Sequence, residues 1–215
     1  MARAPYCEYN FAALSTDYDM KKIVVFGAGL SATSLISYLE HNAVQENWHL
    51  TVVDKNLEQV QNKCKSTSTT CLELDISDLQ RVEEIIEGAS LVVSMLPFFL
   101  HIKIATLCIQ NEIHFATASY LSDEIKALSS EAKKKELIFL NECGLDPGID
   151  HLSAMKLLDG IRKSGGTITD FESFTGGLVT PESEDNPWKY KFTWNPRNVI
   201  LAGSGGAVKF IHNGQ

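Results

Sequence analysis

The chain of 215 residues is 44% hydrophobic and 21% charged, with a formal net charge of −8, the balance of a soluble globular protein with one large domain or two modest ones. That acidity repels polyphosphate and speaks against nucleic acid as a partner, and no apolar run approaches the roughly 18 residues that a membrane-spanning helix needs. The five cysteines (Cys7, Cys64, Cys71, Cys108, Cys143) are odd in number and scattered, with no C-x-x-C pair; this indicates neither a disulfide framework nor a zinc site and points to a reducing cytoplasm.

Residues 1–19, MARAPYCEYNFAALSTDYD, are polar and aperiodic and lack the basic start and apolar core of a secretory leader. They are expected to be a disordered extension ahead of a natural start at Met20. A regular alternation then begins. KKIVVFG (21–27) is a continuous β-branched run, the mark of a strand covered on both faces. Ala32, Leu35, Ile36 and Leu39 follow at helical spacing. LTVVD (50–54) predicts a second strand, and Leu57, Val60 and Cys64 a second helix. TCLELD (70–75) precedes a helix striped by Leu79, Val82 and Ile86. SLVVSML (90–96), stopped by Pro97, precedes one striped by Leu100, Ile104, Leu107 and Cys108. IHFATAS (113–119) precedes one striped by Leu121, Ile125, Leu128 and Ala132, and ELIFLN (136–141) closes the series.

Six strands alternating with five helices through short links predict an α/β fold, a Rossmann-type doubly wound parallel sheet over residues 20–142. Past it the rhythm changes. A helix over about 151–163 is predicted to end in a left-handed cap at Gly165-Gly166, and strand-like TITDFESF and a polar stretch with three prolines come next. Residues 143–215 read as the start of an incomplete second α/β domain.

VVFGAGLSA sets Gly27, Gly29 and Ala32 as G-x-G-x-x-A between the first strand and helix. The first glycine permits a tight turn, the second admits a pyrophosphate to the backbone, and the small third residue lets the helix pack on the sheet. Leu30 and Ser31 lie at the helix N-terminus, where free N–H groups and the helix dipole favour phosphate. Asp54, ending the second strand, stands where a ribose diol is held; its charge favours NAD over NADP, and Lys55 beside it softens that preference, so NAD and NADP both stay open. Ligands in such sheets bind beyond the carboxyl ends of the strands. Three more strand ends therefore line the crevice. Asp75 either approaches the adenine side or caps the helix starting near Asp78. SMLP brings Leu96 and Pro97, and TASY offers the hydroxyls of Thr117, Ser119 and Tyr120, unless Ser119 or Ser122 is spent as a helix N-cap.

NECGLDPGIDH (141–151) emerges from the sixth strand at that same edge. Asp146-Pro147 forces an extended residue and a turn, and Asp150 is expected to cap the next helix. This stretch, with the later GG, GGL, PE, NP, YKF and W, the earlier SMLPFFLH and TASY, and the VVFGAGLSA loop, resembles the saccharopine dehydrogenases of the glutamate-forming, saccharopine reductase type over roughly residues 20–200. Thr175 stands where that family commonly has cysteine, Val179-Thr180 replaces a proline-containing pair, and GSGGAVKF is a looser match.

The resemblance implies a Rossmann domain followed by a larger α/β domain, and a nicotinamide cofactor, NADP or NAD, that reduces the imine joining glutamate to aminoadipate semialdehyde. The product, saccharopine, is an amino-acid intermediate of lysine metabolism. It also implies that Ala118 and the Leu145-Asp146-Pro147 turn approach the cofactor, that Ser119 and Tyr120 touch the substrate, and that Leu96 borders the nicotinamide. Members of the family are longer, so this chain is expected to be a truncated form, with an incomplete sheet that predicts aggregation or a homodimer.

Hydride transfer to an imine is easiest when the imine is protonated, so the site needs groups that stabilise an iminium. Asp146 and Tyr120 are the candidates for catalysis, with Glu142 and His151 beside them. Saccharopine carries three carboxylates, and Lys189, Lys191 and Arg197, among aromatics in PWKYKFTWNPR, are candidates to receive them unless they form only a solvated loop. Two other readings stay open: a carboxynorspermidine-type amine dehydrogenase, and a nucleotide-binding chain without catalysis.

Overall fold

The computed structural model describes residues 20–174 and 179–191. The expected N-terminal extension (1–19), Thr175, Arg197 and GSGGAVKF lie outside the described residues. In chain order the elements are β1 (Lys21–Phe26), α1 (Thr33–Asn42), β2 (Trp48–Asp54), α2 (Leu57–Lys63), β3 (Thr70–Glu73), α3 (Leu79–Ile86), β4 (Leu91–Ser94), α4 (His101–Gln110), β5 (His114–Thr117), α5 (Asp123–Ala127), α6 (Ser129–Lys134), β6 (Phe139–Leu140) and α7 (Ile149–Lys163). Short 3-10 turns at Leu30–Ala32 and Phe98–Leu100 lead into α1 and α4.

The strands form one parallel sheet in the order β3-β2-β1-β4-β5-β6. β1 is central, with Phe26 in register with Val53 of β2 and Ser94 of β4. Its β-branched run is explained by what covers it. Val24 and Phe26 pack into a cluster with Val82, Ile86, Ile104 and Phe115, while Ile23 and Val25 pack into another with Ala32, Ile36, Leu39 and Val60. Successive side chains of a strand face opposite ways, so a strand between two helical layers has no face left for polar residues. The chain order reverses between β1 and β4, which opens a crevice at their carboxyl ends.

Several boundaries move from expectation, each for a local reason. The third strand ends at Glu73 because Asp75 turns the chain, its Oδ1 accepting the Ser77 N–H at 2.9 Å. The sixth is only Phe139–Leu140, since Leu137 N–H still bonds Ala132 O at the end of α6; the tilted contact of Phe139 with Phe115 anchors this edge. The single helix expected over Leu121–Ala132 divides at Leu128, where Leu128 N–H bonds Ile125 O and the Ser129 hydroxyl donates to Lys126 O. Leu79 and Leu121, expected on buried stripes, are exposed. TITDFESF is not a strand: no described strand lies beside it, and it is largely exposed.

α7 starts two residues earlier than expected, with Gly148 rather than Asp150 at its N-cap; Asp150 sits in the first turn and accepts the Gly148 N–H at 2.9 Å. It ends as predicted, Gly165 N–H bonding Arg162 O and Gly166 N–H bonding Ile161 O, the paired bonds of a left-handed cap. None of its residues is buried. Among the described residues, no helix is long and apolar enough to cross a membrane.

Candidate active site

The glycine loop is built against the neighbouring strand. Gly27 has φ +101°, and a Cβ there would come within 2.7 Å of Met95 O, so only glycine fits this turn. Ala32 is buried against the sheet, as its small size requires. Gly29 differs from both. Its backbone is extended (φ −69°, ψ −175°), a conformation open to any residue, and a Cβ on it would meet no atom within 4 Å. Among the described residues nothing requires glycine here. The N–H groups of Gly29, Leu30 and Ser31 make no hydrogen bond among the described residues, and all three residues are exposed. Open backbone donors at a helix entrance fit the pyrophosphate of a dinucleotide.

Asp54 holds this loop. Its Oδ2 accepts the Ala28 N–H at 2.8 Å and its Oδ1 the Asn56 N–H at 3.0 Å. Much of its acceptor capacity is therefore used by the backbone, which weakens the ground for a preference for NAD. Lys55 is exposed beside it and, with Lys103, lies near enough to Asp75 to help hold that carboxyl below its usual range; the Ser77 hydrogen bonds are the larger cause. The helix near Asp78 is capped by Asp78 itself, which accepts the Arg81 N–H, so Asp75 shapes the turn and is no N-cap. Across the crevice Leu96, half-buried, and Pro97, exposed, follow β4.

The segment after β5 and the turn after β6 are joined along their length. Glu142 N–H bonds Ser119 O (3.0 Å), Leu121 N–H bonds Glu142 Oε1 (3.1 Å) and the Cys143 thiol bonds Thr117 O (3.1 Å). Gly144 lies so close to Ala118 that a Cβ on it would stand 3.0 Å from the Ala118 Cβ. The turn closes on itself through Gly144 N–H to Pro147 O and Ile149 N–H to Gly144 O, across a cis Asp146-Pro147 bond. Pro147 is buried beneath it and Leu145 exposed at its tip. Gly148 has φ +146°, and a Cβ there would fall 2.2 Å from Gly144 O.

This joining brings the two expected catalytic residues together. The Tyr120 hydroxyl donates to Asp146 Oδ1 at 3.0 Å. Partial burial, the Asp146 bond and the nearby Asp150 and Glu142 charges all raise the Tyr120 pKa, so its hydroxyl keeps its proton. His151, exposed, pairs with Asp150 at 2.8 Å; that contact raises the imidazole and lowers the carboxyl. Glu142, Asp146 and Asp150 make the edge acidic, which suits a substrate nitrogen that carries or develops positive charge.

One residue of the site went unread in the sequence. His101, at the start of α4, is buried, with Nδ1 2.8 Å from Ser94 Oγ, Nε2 2.8 Å from Ser119 Oγ, and Thr117 Oγ1 at 3.4 Å. Burial lowers its pKa to about 4, so the ring is neutral at physiological pH. Its signal was its spacing: His101, Ile104, Ala105 and Cys108 share one helical face, and all are buried. Ser119 is thus taken by His101, and the N-cap of α5 is Ser122, accepting the Ile125 N–H. The structure does not draw the expected lysines into this constellation: Lys191 pairs with Asp185 at 2.7 Å and Lys189 with Glu184 at 2.8 Å.

Comparison with known proteins is consistent along the chain. Residues 23–140 match the family described as Saccharopine dehydrogenase NADP binding domain, and residues 144–215 match Saccharopine dehydrogenase C-terminal domain. The saccharopine dehydrogenase [NADP(+), L-glutamate-forming] of Saccharomyces cerevisiae is 34% identical over 182 residues, 85% of this chain and 40% of that protein. The mitochondrial alpha-aminoadipic semialdehyde synthase of Mus musculus is 32% identical over 193 residues, 89% of this chain and 20% of that protein. The solved apo saccharopine dehydrogenase (L-Glu forming) from Saccharomyces cerevisiae superposes with a TM-score of 0.74 at 34% identity, over 85% of this chain and 40% of that one. This chain therefore spans two fifths or less of these relatives' length. With a glycine loop, sheet order and two family matches that agree, the chain belongs to the saccharopine dehydrogenase family and carries its NADP binding domain.

Proposed function

We propose that this chain binds NADP(H) across the β1–β4 crevice and serves hydride transfer between the nicotinamide and the C–N bond of saccharopine. The observation that carries the dinucleotide part is Gly29, a glycine with open space and an ordinary backbone, beside three N–H groups without an acceptor among the described residues. Gly27, Gly29, Leu30, Ser31 and Ala32 hold the pyrophosphate. Asp54 fixes the loop, Lys55 and Asp75 border the adenosine end, and Leu96, Pro97, Ala118 and the Leu145-Asp146-Pro147 turn border the nicotinamide. NADP is preferred to NAD in this reading: Asp54 is engaged by backbone N–H groups, and the exposed Lys55 beside it is the residue we assign to a 2′-phosphate.

When bound, the cofactor supplies or accepts the hydride. The chain's own part is to hold the substrate amine between Tyr120 and Asp146, with the acidic edge stabilising the iminium form of the reacting nitrogen. Ser119 contacts the amino-acid substrate, and Arg197 and Lys191 are the residues we assign to its carboxylates, Lys191 by exchanging its Asp185 partner for the substrate. The free thiols of Cys64, Cys71, Cys108 and Cys143 support a reducing compartment such as the cytoplasm.

Two measurements test this reading. NADPH and NADH fluorescence titrations of the purified chain test the cofactor: NADPH binding is expected, and binding of neither contradicts the proposal. Saccharopine-dependent reduction of NADP then tests turnover. A second reading, dinucleotide binding without turnover, is favoured by the 56% exposure of Tyr120, since a reacting pair open to water lacks the exclusion that strengthens its electrostatics. Saccharopine-dependent reduction would exclude it.

A further inference from the structure

We infer that His101 is a positioning residue that orients the Ser119 hydroxyl as a hydrogen-bond donor toward the substrate, so that the group Ser119 meets is an acceptor, such as a carboxylate oxygen. The inference rests on the reading above that Ser119 lies at the substrate.

The protons decide the direction. Ser94 Oγ ends β4 at the floor of the crevice, and the residue has no exposed surface. Among the described residues its one side-chain hydrogen bond is to His101 Nδ1 at 2.8 Å. A neutral imidazole has one donor and one acceptor nitrogen, so two arrangements exist. If Nδ1 carried the proton it would donate to Ser94 Oγ, and the Ser94 hydroxyl proton would be left buried with no acceptor among the described residues, a costly state. If Nδ1 is bare, Ser94 donates to it and both groups are satisfied; the buried Thr117 hydroxyl makes the opposite claim on Nε2, but at 3.4 Å against 2.8 Å it is the weaker one. That choice puts the ring proton on Nε2, which then donates to Ser119 Oγ at 2.8 Å.

Ser119 Oγ, having accepted one bond from the ring, still has its own proton to give. The other arrangement would reverse this: Ser119 would donate into Nε2 and offer a ligand only lone pairs. The direction of the chain is thus set at its buried end, by Ser94, and delivered at the crevice by Ser119. Thr117 completes the frame, its Oγ1 accepting the Ser119 N–H at 3.3 Å, so backbone and side chain of Ser119 are held together. The ring links the ends of β4 and β5, and a neutral donor sequence of this kind places no charge beside the nicotinamide.

Long-range proton–nitrogen NMR on the histidine-labelled full chain reads the tautomer directly and needs no ligand. Assignment uses single His→Gln replacements of the other histidines, which spare the Ser94–His101–Ser119 line. The expected result is a His101 ring that is neutral at pH 6, with protonated Nε2 and bare Nδ1. A ring protonated at Nδ1, or at both nitrogens, overturns the inference. Saccharopine titration of the wild type and of Ser119→Ala gives the second readout: affinity is expected to fall about tenfold or more on loss of a donor to a charged acceptor, with NADPH affinity unchanged. Equal saccharopine affinity of the two proteins would show that Ser119 donates nothing, while failure of the wild type to bind saccharopine at all, with the predicted tautomer present, would sink the substrate reading and leave the orientation standing.

Discussion

At the residue scale, the Tyr120 hydroxyl is the group whose removal touches the proposed chemistry and little else. Tyr120→Phe deletes its bond to Asp146 while keeping the ring, and we expect kcat for saccharopine to fall about 100-fold with NADPH affinity unchanged, the low end for loss of a positioned proton donor. Steady-state kinetics and fluorescence titration check the two halves. Tyr120 and Asp146 could be named from a resemblance, but not their contact at 3.0 Å, since they are 26 positions apart and meet only because β5 and β6 are neighbours. The glycine loop was more open to reading, because tight turns and close ligand approach demand particular residues at particular positions. His101 was missed for the opposite reason: a histidine on an apolar stripe looks like core until its partners are seen.

His101 also makes a stability prediction. Its folded pKa, about 4, lies below its ordinary 6.5, so the folded ring resists a proton that the unfolded chain accepts. Stability from this group is full above pH 6.5 and is lost as pH falls toward 4, about 3 kcal/mol in all. Urea unfolding at pH 7 and pH 4.5 measures the loss. Carboxylates titrate in the wild type and the variant alike, so the drop should be smaller in His101→Gln; an equal drop contradicts the assignment.

At the element scale, the identities of the strands and helices through β6 followed from periodicity, apart from the helix that divides at Leu128, while most of their ends did not. β6 was overestimated because Glu136 and Leu137 adjoin an apolar run yet serve the end of α6 instead. The start of α7 was misplaced because Asp150 looks like a cap in sequence but bonds backward to Gly148 from inside the first turn. That turn is tightly built. Gly148→Ala combines a positive φ with a Cβ 2.2 Å from Gly144 O, so it should destabilise the chain by about 2 kcal/mol or more and break the Tyr120–Asp146 contact. α7 itself should behave differently. Leu152 is 70% exposed and Leu157 60%, so replacing either with Gln should shift stability by no more than about 0.5 kcal/mol, against roughly 2–5 kcal/mol for Ile36→Ala in the core. Denaturant midpoints of the three variants separate a surface helix from a packed one.

At the scale of the whole molecule, the order β3-β2-β1-β4-β5-β6 sets the carboxyl ends of β1, β2 and β3 on one side of the switch point and those of β4, β5 and β6 on the other. Every residue assigned to dinucleotide or substrate, apart from Lys191 and Arg197, lies at or just past the end of one of these six strands. The alternation of apolar runs made this architecture readable, because a strand buried on both faces admits few residue types. The chain beyond α7 was not readable in the same way, since its polar sequence carries little periodicity to set register or contacts.

The central claim, that the crevice is shaped for a dinucleotide, is tested most directly at Gly29. Gly29→Ala adds a Cβ that meets nothing in the protein but occupies the surface on which pyrophosphate would lie. NADPH titration together with thermal melting of wild type and variant is the measurement. The predicted result is an unchanged melting temperature without ligand and an NADPH affinity weakened at least about tenfold. An NADPH affinity equal to that of the wild type would contradict it.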